Sequence, residues 1–358
     1  MKNFTINYCS TKTNVHFGNY INVLKKTLKN KRFIIICDKN IFLLYPEIEK
    51  LSSVICINAG EKQKSLNTVE YLYSELIKLN ADRTTNIVTI GGGITCDIAG
   101  YVASTFYRGL PFILIPTSLL AMTDAAIGGK NGVNYKNHKN IIGIISQPET
   151  IIIDKNFLKT LPEEEYRNGI AEIIKHAIIS GDLLFNKLKN NKSQKINDEI
   201  LRLSIQTKVK FVTADEKENG IRRILNFGHT FGHIIEISEN LKHGEAVGIG
   251  MVLASKISEN LNKCNAATTD KTIKMLEYYN LPTTCKLDFN NFEKLLTYDK
   301  KNDNKYLHFV FIEKIGKVVV ERISRKTIIR VLSKVISYPV KRQGWKFDFL
   351  DIETSIIV

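Results

Sequence analysis

The first half of the chain alternates short apolar runs with amphipathic stretches, and this alternation constrains the fold more than any other feature. Runs rich in Ile and Val, each bounded by polar or turn-forming residues, predict buried strands at 32–38, 53–58, 85–93, 111–117 and 150–154. Between the second and third runs, apolar residues recur at helical spacing from Leu66 to Ile77, which predicts a helix over 65–80. Strand–helix alternation favours a mostly parallel, Rossmann-like α/β sheet.

The pattern changes after Leu161, where Pro162 opens a helix rich in Glu. Long helical stretches follow at 166–179, 196–214, 228–238, 244–261 and 270–279, and a hairpin is predicted around Ile315 and Gly316. A chain of 358 residues favours two domains. We predict an α/β Rossmann-like domain over 1–160 and a mostly α-helical domain over 161–358, with a C-terminal extension of no clear periodicity from about residue 333.

Composition excludes several classes of protein. No apolar run reaches the roughly 18 residues of a membrane span, and the N-terminus lacks the apolar core of a signal peptide. The six cysteines are scattered without CxxC spacing, so we expect a reducing, cytoplasmic location. The net charge of +15 comes from lysines interleaved with Asn and Ile, and no nucleic-acid motif accompanies it. We therefore expect no nucleic-acid or membrane partner, although a positive field can attract an anionic metabolite.

One segment, from Pro116 to Gly143, concentrates polar chemistry among glycines. It holds Asp124, a Gly-Gly-Lys turn ending at Lys130, and the pair Lys139 and Asn140. Such groups fill a core poorly, but they bring backbone and cationic groups close to an anionic ligand.

A triple glycine, Gly91 to Gly93, ends one predicted strand just before a predicted helix that contains Asp97. A turn of this kind can hold a phosphate with backbone N–H groups and the helix dipole. It is not a GxGxxG motif, and a tight strand–helix turn explains it as well. Asp38, at the end of an earlier strand, can contact a cofactor ribose or serve as a turn residue.

Two histidines, His229 and His233, share one face of a predicted helix, and His243 opens the next helix. Spacing alone suits either a metal-binding pair, His229 with His233, or packed histidines. Glu172 adds a carboxylate on an otherwise small and apolar helix face. Two histidines and one carboxylate form an open zinc site that leaves room for substrate hydroxyls. Cations that suit a phosphate or carboxylate recur nearby in the sequence, namely Arg108, Lys130, Lys139, Lys175, Lys208 and Arg222.

These residues belong to a colinear series of motifs that resembles the 3-dehydroquinate synthase family of sugar-phosphate cyclases. Besides 116–143, the series comprises GEKQKS (60–65), GGGITCDIAG (91–100), YRG (107–109), NGIAEIIK (168–175), LNFGHTFGH (225–233), HGEAVGIGM (243–251) and DKK (299–301). The resemblance implies an N-terminal Rossmann-like NAD-binding domain and a helical metal-binding domain. It also implies a lyase of the shikimate pathway, which leads to chorismate and the aromatic amino acids.

The resemblance further assigns residue roles. The ligands of Zn²⁺ or Co²⁺ are Glu172, His229 and His243, which places His233 beside the metal rather than on it. Substrate binding and catalysis fall on Arg108, Asp124, Lys130, Asn140, Lys175, Lys208, Arg222, Asn226, His233 and Lys300. NAD contacts fall on Asp38, Asn40, Glu61, Lys64, Gly92, Gly93, Asp97, Thr117, Ser118, Lys130 and Lys139. In the family Arg108 reaches in from a neighbouring subunit, which implies a homodimer.

The implied substrate is 3-deoxy-D-arabino-heptulosonate 7-phosphate, and the products are 3-dehydroquinate and phosphate. The family reaction combines transient NAD oxidation and reduction, phosphate elimination and intramolecular aldol closure at a divalent metal. Cys96, where the family usually has glycine, departs from the pattern, and we expect its side chain to crowd NAD or shift the turn. Ala125, Ala126 and His138 also depart from the family pattern.

Three alternatives stay open at this point. A related cyclase, such as a 2-deoxy-scyllo-inosose synthase, shares NAD, metal and fold but acts on glucose 6-phosphate, which lacks a carboxylate. An iron- or zinc-dependent polyol dehydrogenase releases NADH and usually has an aspartate at the position of Glu172. A basic binding module leaves the metal and glycine clusters unexplained, and zinc content distinguishes it.

Overall fold

The structure is a computed structural model that describes residues 1–136, 138–286 and 306–337. Its contacts divide the chain into two compact units, the first made of Met1–Ile173 with Ile196–Arg222, the second of Ile174–Lys195 with the chain from Arg223 onwards. Helix α5, Glu163–Ser180, therefore runs from the first unit into the second. The domain boundary between residues 160 and 161 stays a prediction. The two compact units meet within α5, between Ile173 and Ile174.

The first unit is built on a seven-stranded sheet with the order β1-β2-β9-β6-β5-β3-β4. Its strands are β1 Phe4–Asn7, β2 Lys12–Phe17, β3 Phe33–Asp38, β4 Val54–Ile57, β5 Asn86–Gly91, β6 Phe112–Pro116 and β9 Thr150–Ile153. All neighbouring strands pair in parallel except β1, which is antiparallel to β2. Every residue of β5 and β6 is buried, which explains why these strands read as continuous apolar runs rather than alternating ones. The predicted Rossmann-like sheet is confirmed.

A separate antiparallel hairpin, β7 Lys130–Tyr135 and β8 His138–Ile145, follows the sheet strand β6. The side chain of Asn131 secures it, because its amide nitrogen donates to the carbonyls of Gly129 (2.8 Å) and Ser146 (2.9 Å). The hairpin carries Lys130, Lys139 and Asn140, in a segment for which the sequence pattern predicts no secondary structure.

The helices of the first unit are α1 Tyr20–Thr27, α2 Lys39–Leu44, α3 Leu66–Lys78, α4 Gly93–Thr105, α7 Asp198–Ala214 and the first part of α5. Helix α3 begins where the sequence predicts, because the Ser65 hydroxyl accepts a hydrogen bond from the Thr68 N–H (3.3 Å). Its buried residues Val69, Leu72 and Leu76 confirm part of the predicted apolar face, whereas Leu66 (38% exposed) and Ile77 (64% exposed) are not buried.

The second unit is mostly helical, as predicted. It contains the end of α5, α6 Asp182–Lys189, α8 His229–Ser238, α9 His243–Asn260, α10 Ala266–Tyr278, the hairpin of β10 Tyr306–Lys314 and β11 Lys317–Ser324, and α11 Arg325–Ser337. The hairpin turns at Gly316, whose φ of 87° suits glycine. It packs against α8 and α9 through Phe309 on Phe231 (centroids 5.5 Å apart) and through the Ile312 N–H on Ser258.

The C-terminal extension from about residue 333 begins within α11, and residues 338–358 lie outside the described part of the chain. Within the described ranges, no helix combines the length and the apolar character needed to cross a membrane.

Candidate active site

The turn between β5 and α4 offers an anion-binding helix start in the first unit. Gly92 precedes α4 and provides no side-chain cap, so no side chain takes up the first N–H groups of this 13-residue helix. A Cβ on Gly91 would lie 2.6 Å from the Cβ of Thr95, which restricts the position to glycine. Together the uncapped N–H groups and the helix dipole favour a phosphate.

Asp38 stands at the carboxyl end of β3, the strand beside β5. One of its carboxylate oxygens, Oδ1, accepts hydrogen bonds from the N–H groups of Asn40 (2.8 Å) and Ile41 (3.4 Å) and so caps α2. Burial raises the pKa of Asp38, and these two N–H groups oppose that rise. Asp38 therefore lies at the carboxyl end of the sheet, where α/β folds bind nucleotides.

Lys64 and Asp97 form an ion pair that fastens the loop after β4 to the start of α4. Lys64 is 6% exposed and the Asp97 side chain 21% exposed, so solvent screens this ion pair only in part. Burial raises the pKa of the Asp97 carboxyl, while the Lys64 ammonium opposes that rise. After β6, Thr117 donates its N–H to Gly91 (2.9 Å), which brings the predicted cofactor residues Thr117 and Ser118 to the glycine turn.

Cys96 packs against this turn. Its side chain is buried, with Sγ 3.7 Å from the carbonyl oxygen of Gly91. The thiol is therefore shielded from solvent, and an effect of Cys96 on NAD binding stays a prediction.

Asp124 and Lys208 form a second partly shielded ion pair in the first unit. Asp124 lies in a π-helical turn, Ala121–Ala125, and Lys208 lies on α7. The Lys208 Nζ is 2.5 Å from Asp124 Oδ1, and Lys208 is only 7% exposed. Lys130, at the start of β7, pairs with Glu218 and is half-exposed. Both lysines can therefore supply a positioned positive charge to an anionic ligand.

Arg222 is held rigidly from several sides. Its Nη1 donates to the Glu216 carbonyl (2.6 Å) and its Nη2 to the Gly128 carbonyl (3.1 Å), while its backbone N–H donates to Asp215 (3.1 Å). Gly128 has φ of 100°, and a Cβ there would lie 2.6 Å from Nη2, so the guanidinium needs this glycine. Burial lowers the pKa of Arg222, but the group stays charged because free arginine titrates above about pH 12.

Three side chains converge as a candidate metal centre. His229 opens α8, His243 opens α9, and Glu172 is fully buried on α5. One ligand atom from each of the three lies within 4.8 Å of the other two. His233 is not in this group, and its ring centroid lies 5.3 Å from that of His229.

The two histidines are oriented by their second ring nitrogens. The Nδ1 of His229 lies 3.3 Å from the Phe227 carbonyl oxygen, and the Nδ1 of His243 lies 3.3 Å from Glu236 Oε2. A carbonyl or carboxylate at Nδ1 favours the proton there and leaves Nε2 as the metal-binding atom. Two imidazole nitrogens and one carboxylate suit Zn²⁺ or Co²⁺ and leave a coordination position open.

The remaining predicted residues are placed as follows. Lys175 is 1% exposed on α5, and Asn226 ends the short helix Ile221–Asn226. Arg108 is exposed at the end of the short helix Phe106–Arg108 that follows α4, where it and Tyr107 both have positive φ. Asn40, Glu61, Lys139 and Asn140 are exposed, and Lys300 lies outside the described residues.

Sequence reasoning missed several supporting residues, among them Asn134, Asp215 and Glu236. Asn134 lies inside the segment 116–143 and Glu236 follows the motif at 225–233, but spacing gives no reason to select them. Their roles depend on partners that are brought near only by the fold, such as Glu61 for Asn134 (2.7 Å).

A Rossmann-like sheet with an anion-binding turn, on one chain with a three-ligand metal group, defines the class of metal-dependent enzymes that use a nicotinamide dinucleotide. Comparison with known proteins narrows this class. The model of the 3-dehydroquinate synthase N-terminal domain matches residues 54–168, and that of the C-terminal domain matches residues 169–302. The chain belongs to the 3-dehydroquinate synthase family.

Individual relatives agree with this family assignment, and solved structures share the fold. The chain is 41% identical to the 3-dehydroquinate synthase of a Nostoc species, covering 77% of this chain and 80% of that protein. It is 40% identical to that of Dictyoglomus thermophilum, covering 87% and 92%. Among solved structures, 2-epi-5-epi-valiolone synthase from Streptomyces hygroscopicus with NAD⁺ and Zn²⁺ superposes with TM-score 0.82 at 25% identity, covering 92% and 98%. A 2-deoxy-scyllo-inosose synthase with carbaglucose-6-phosphate, NAD⁺ and Co²⁺ gives 0.79 at 24% identity, covering 93% and 100%.

Proposed function

We propose that the protein converts 3-deoxy-D-arabino-heptulosonate 7-phosphate to 3-dehydroquinate and phosphate, as a lyase of the shikimate pathway. The observation that carries the proposal is the convergence of Glu172, His229 and His243, whose ligand atoms lie within 4.8 Å of one another. A chain of this family with these ligands has the donor set of an open zinc or cobalt site.

When bound, the metal and NAD supply polarisation of the substrate hydroxyls and reversible hydride transfer. The chain's own residues bind and orient. Asp38 accepts a ribose hydroxyl through its second oxygen, and the N–H groups at Gly92 and Gly93 hold the pyrophosphate. The remaining proposed NAD contacts are Asn40, Glu61, Lys64, Asp97, Thr117, Ser118, Lys130 and Lys139.

The cations of the first unit suit a substrate that carries both a carboxylate and a phosphate. Arg222 and Lys208 bind its carboxylate, because a fixed guanidinium matches a carboxylate in geometry and charge. Lys130 and Asn140 bind parts of the substrate other than its carboxylate. The Asp124 carboxylate holds the Lys208 ammonium in place, with Oδ1 2.5 Å from Nζ. In the second unit, Lys175, Asn226 and His233 act on the substrate beside the metal ligands. Lys300 completes the proposed set.

A homodimer is also part of the proposal. Arg108 is exposed on a turn where Tyr107 and Gly109 share its positive φ, so its side chain is presented away from the core. A partner subunit would receive this guanidinium near its own phosphate site.

We propose a cytoplasmic location on the same family grounds.

A substrate comparison tests the function. Purified enzyme with NAD and Zn²⁺ is offered the seven-carbon substrate, glucose 6-phosphate and simple polyols, while phosphate and NADH are measured. The proposal requires phosphate release from the first substrate alone. Release from glucose 6-phosphate instead would indicate a different cyclase, and net NADH from polyols would indicate a dehydrogenase.

A further inference from the structure

The side chain of Asn134, on β7, joins two loops of the first unit that sequence reasoning treated separately. Its Nδ2 donates to Glu61 Oε1 (2.7 Å), and its Oδ1 accepts from the N–H of Asn140 (2.8 Å). Its own N–H donates to the Lys64 carbonyl (2.8 Å). Glu61 and Lys64 belong to the proposed cofactor loop, and Asn140 belongs to the proposed substrate-binding strand β8.

These partners require an amide. Nδ2 must donate to a carboxylate while Oδ1 accepts from a backbone N–H, and only Asn or Gln presents both functions on one planar group. The length of Asn also fits, because its backbone is already fixed beside Ser65 by a parallel bridge. An aspartate at this position keeps the acceptor but loses the donor.

The contact also holds an unusual backbone conformation. Asn140 has φ of 54°, in the left-handed region that non-glycine residues adopt at a cost. A hydrogen bond from its N–H to Oδ1 of Asn134 ties this residue to β7. The direction in which the Asn140 side chain leaves β8 therefore depends on Asn134.

We propose that Asn134 is a positioning residue that sets the Glu61 carboxylate and the Asn140 backbone in a fixed relation, and so couples cofactor binding to substrate binding. Asn134 acts through these two residues rather than by touching either ligand. The inference rests on the proposed function, which assigns NAD to Glu61 and the sugar acid phosphate to Asn140.

The test is a double-mutant cycle read by direct binding. In Asn134→Asp, the new carboxylate faces Glu61, and we expect the Kd for NADH, followed by its fluorescence, to rise about tenfold. In a Glu61→Gln background, the Gln amide donates to the new carboxylate, and the same substitution should change the Kd by less than about twofold. Asn131→Asp is the matched control on the same hairpin, because its amide serves backbone carbonyls, and its effect should be the same with Glu61 or Gln at position 61.

A second part of the test measures the KM for the substrate. Asn134→Ala removes both hydrogen bonds, and we expect the KM for the seven-carbon substrate to rise about tenfold while bound zinc per subunit stays at the wild-type value. The inference alone is overturned if the wild-type enzyme binds NAD and releases phosphate but Asn134→Asp carries no penalty. It is also overturned if that penalty persists in the Glu61→Gln background. Wild-type enzyme that neither binds NAD nor releases phosphate overturns the proposed function and the inference with it.

Discussion

Gly250 of α9 lies directly against Gly228, the residue before α8. A Cβ on Gly250 would lie 2.0 Å from the Gly228 carbonyl oxygen and 2.8 Å from the Gly232 nitrogen. Gly228 has φ of 81°, so it turns the chain into α8 in a conformation that favours glycine. This close approach of α8 and α9 brings the rings of His229 and His243 to a centroid separation of 5.5 Å.

The first prediction concerns this helix contact. Gly250→Ala forces the backbones of α8 and α9 apart and should lower the free energy of unfolding by about 1–3 kcal/mol. Zinc binding should also weaken, because His229 and His243 begin these two helices. The matched control is Gly248→Ala on the same helix, whose nearest neighbours would lie 3.4 Å away. Because alanine favours a helix over glycine by up to about 1 kcal/mol, the control should be neutral or stabilising. Urea unfolding and zinc titration measure both, and equal effects of the two variants would contradict the packing argument.

The second prediction separates the metal ligands from their neighbour. His229→Ala should lose bound metal and activity together, because it removes one of three ligands. His233→Ala should lose activity but keep the wild-type metal content, because His233 lies outside the ligand group. Metal analysis of the dialysed proteins decides this, with circular dichroism to verify folding. Stoichiometric zinc in His229→Ala would refute its assignment as a ligand.

The third prediction concerns the partner of His243. Glu236 Oε2 lies 3.3 Å from the Nδ1 of His243, so it orients the ring. Glu236→Ala should weaken zinc affinity by about 10–100-fold, which is the usual cost of removing such a partner. Glu236→Gln, which keeps an acceptor oxygen, should lose less. Competition with a chelator measures the affinities, and unchanged affinity in both variants would show that the contact does not orient the ligand.

The fourth prediction uses the pH dependence of the loop that holds Arg222. Burial raises the pKa of Asp215, but N–H donors from Gly220, Arg222 and Asn219 outweigh it, so the pKa falls below the ordinary 3.8. A carboxyl with a lowered folded pKa adds stability above its unfolded pKa and loses it as pH falls through the folded value. The stability advantage of wild type over Asp215→Asn should therefore be full at about pH 6 and shrink towards about pH 3. Urea unfolding across this range tests the prediction, and a constant difference would contradict it.

The fold was largely predictable because its signals are local. Buried parallel strands read as apolar runs, and α3 carries both an apolar face and a Ser65 cap. The hairpin of β7 and β8 was not predicted, because the isoleucines of β8 are mostly exposed and do not alternate with polar residues as in a half-buried strand. The division inside α5 was also unpredictable, since a continuous helix gives no local sign of which unit each turn joins.

The site was predictable where motif and chemistry coincide, as for Glu172 and His243. Spacing by itself misled, since His229 and His233 share a helix face although the ligand group contains only one of them. Cys96 shows the same limit, because only the packing reveals that its thiol is buried against the Gly91 carbonyl. Partners that are distant in sequence, such as Glu61 and Asn134, become neighbours only through the fold.

The most direct test of the account is a single assay of phosphate and NADH together. Enzyme with NAD and Zn²⁺ is mixed with 3-deoxy-D-arabino-heptulosonate 7-phosphate, free phosphate is followed by a coupled assay, and NADH by its absorbance. The account predicts many equivalents of phosphate per enzyme with no net NADH, and loss of the signal when a chelator removes the metal. Steady NADH accumulation, or phosphate release that survives complete removal of the metal, would contradict it.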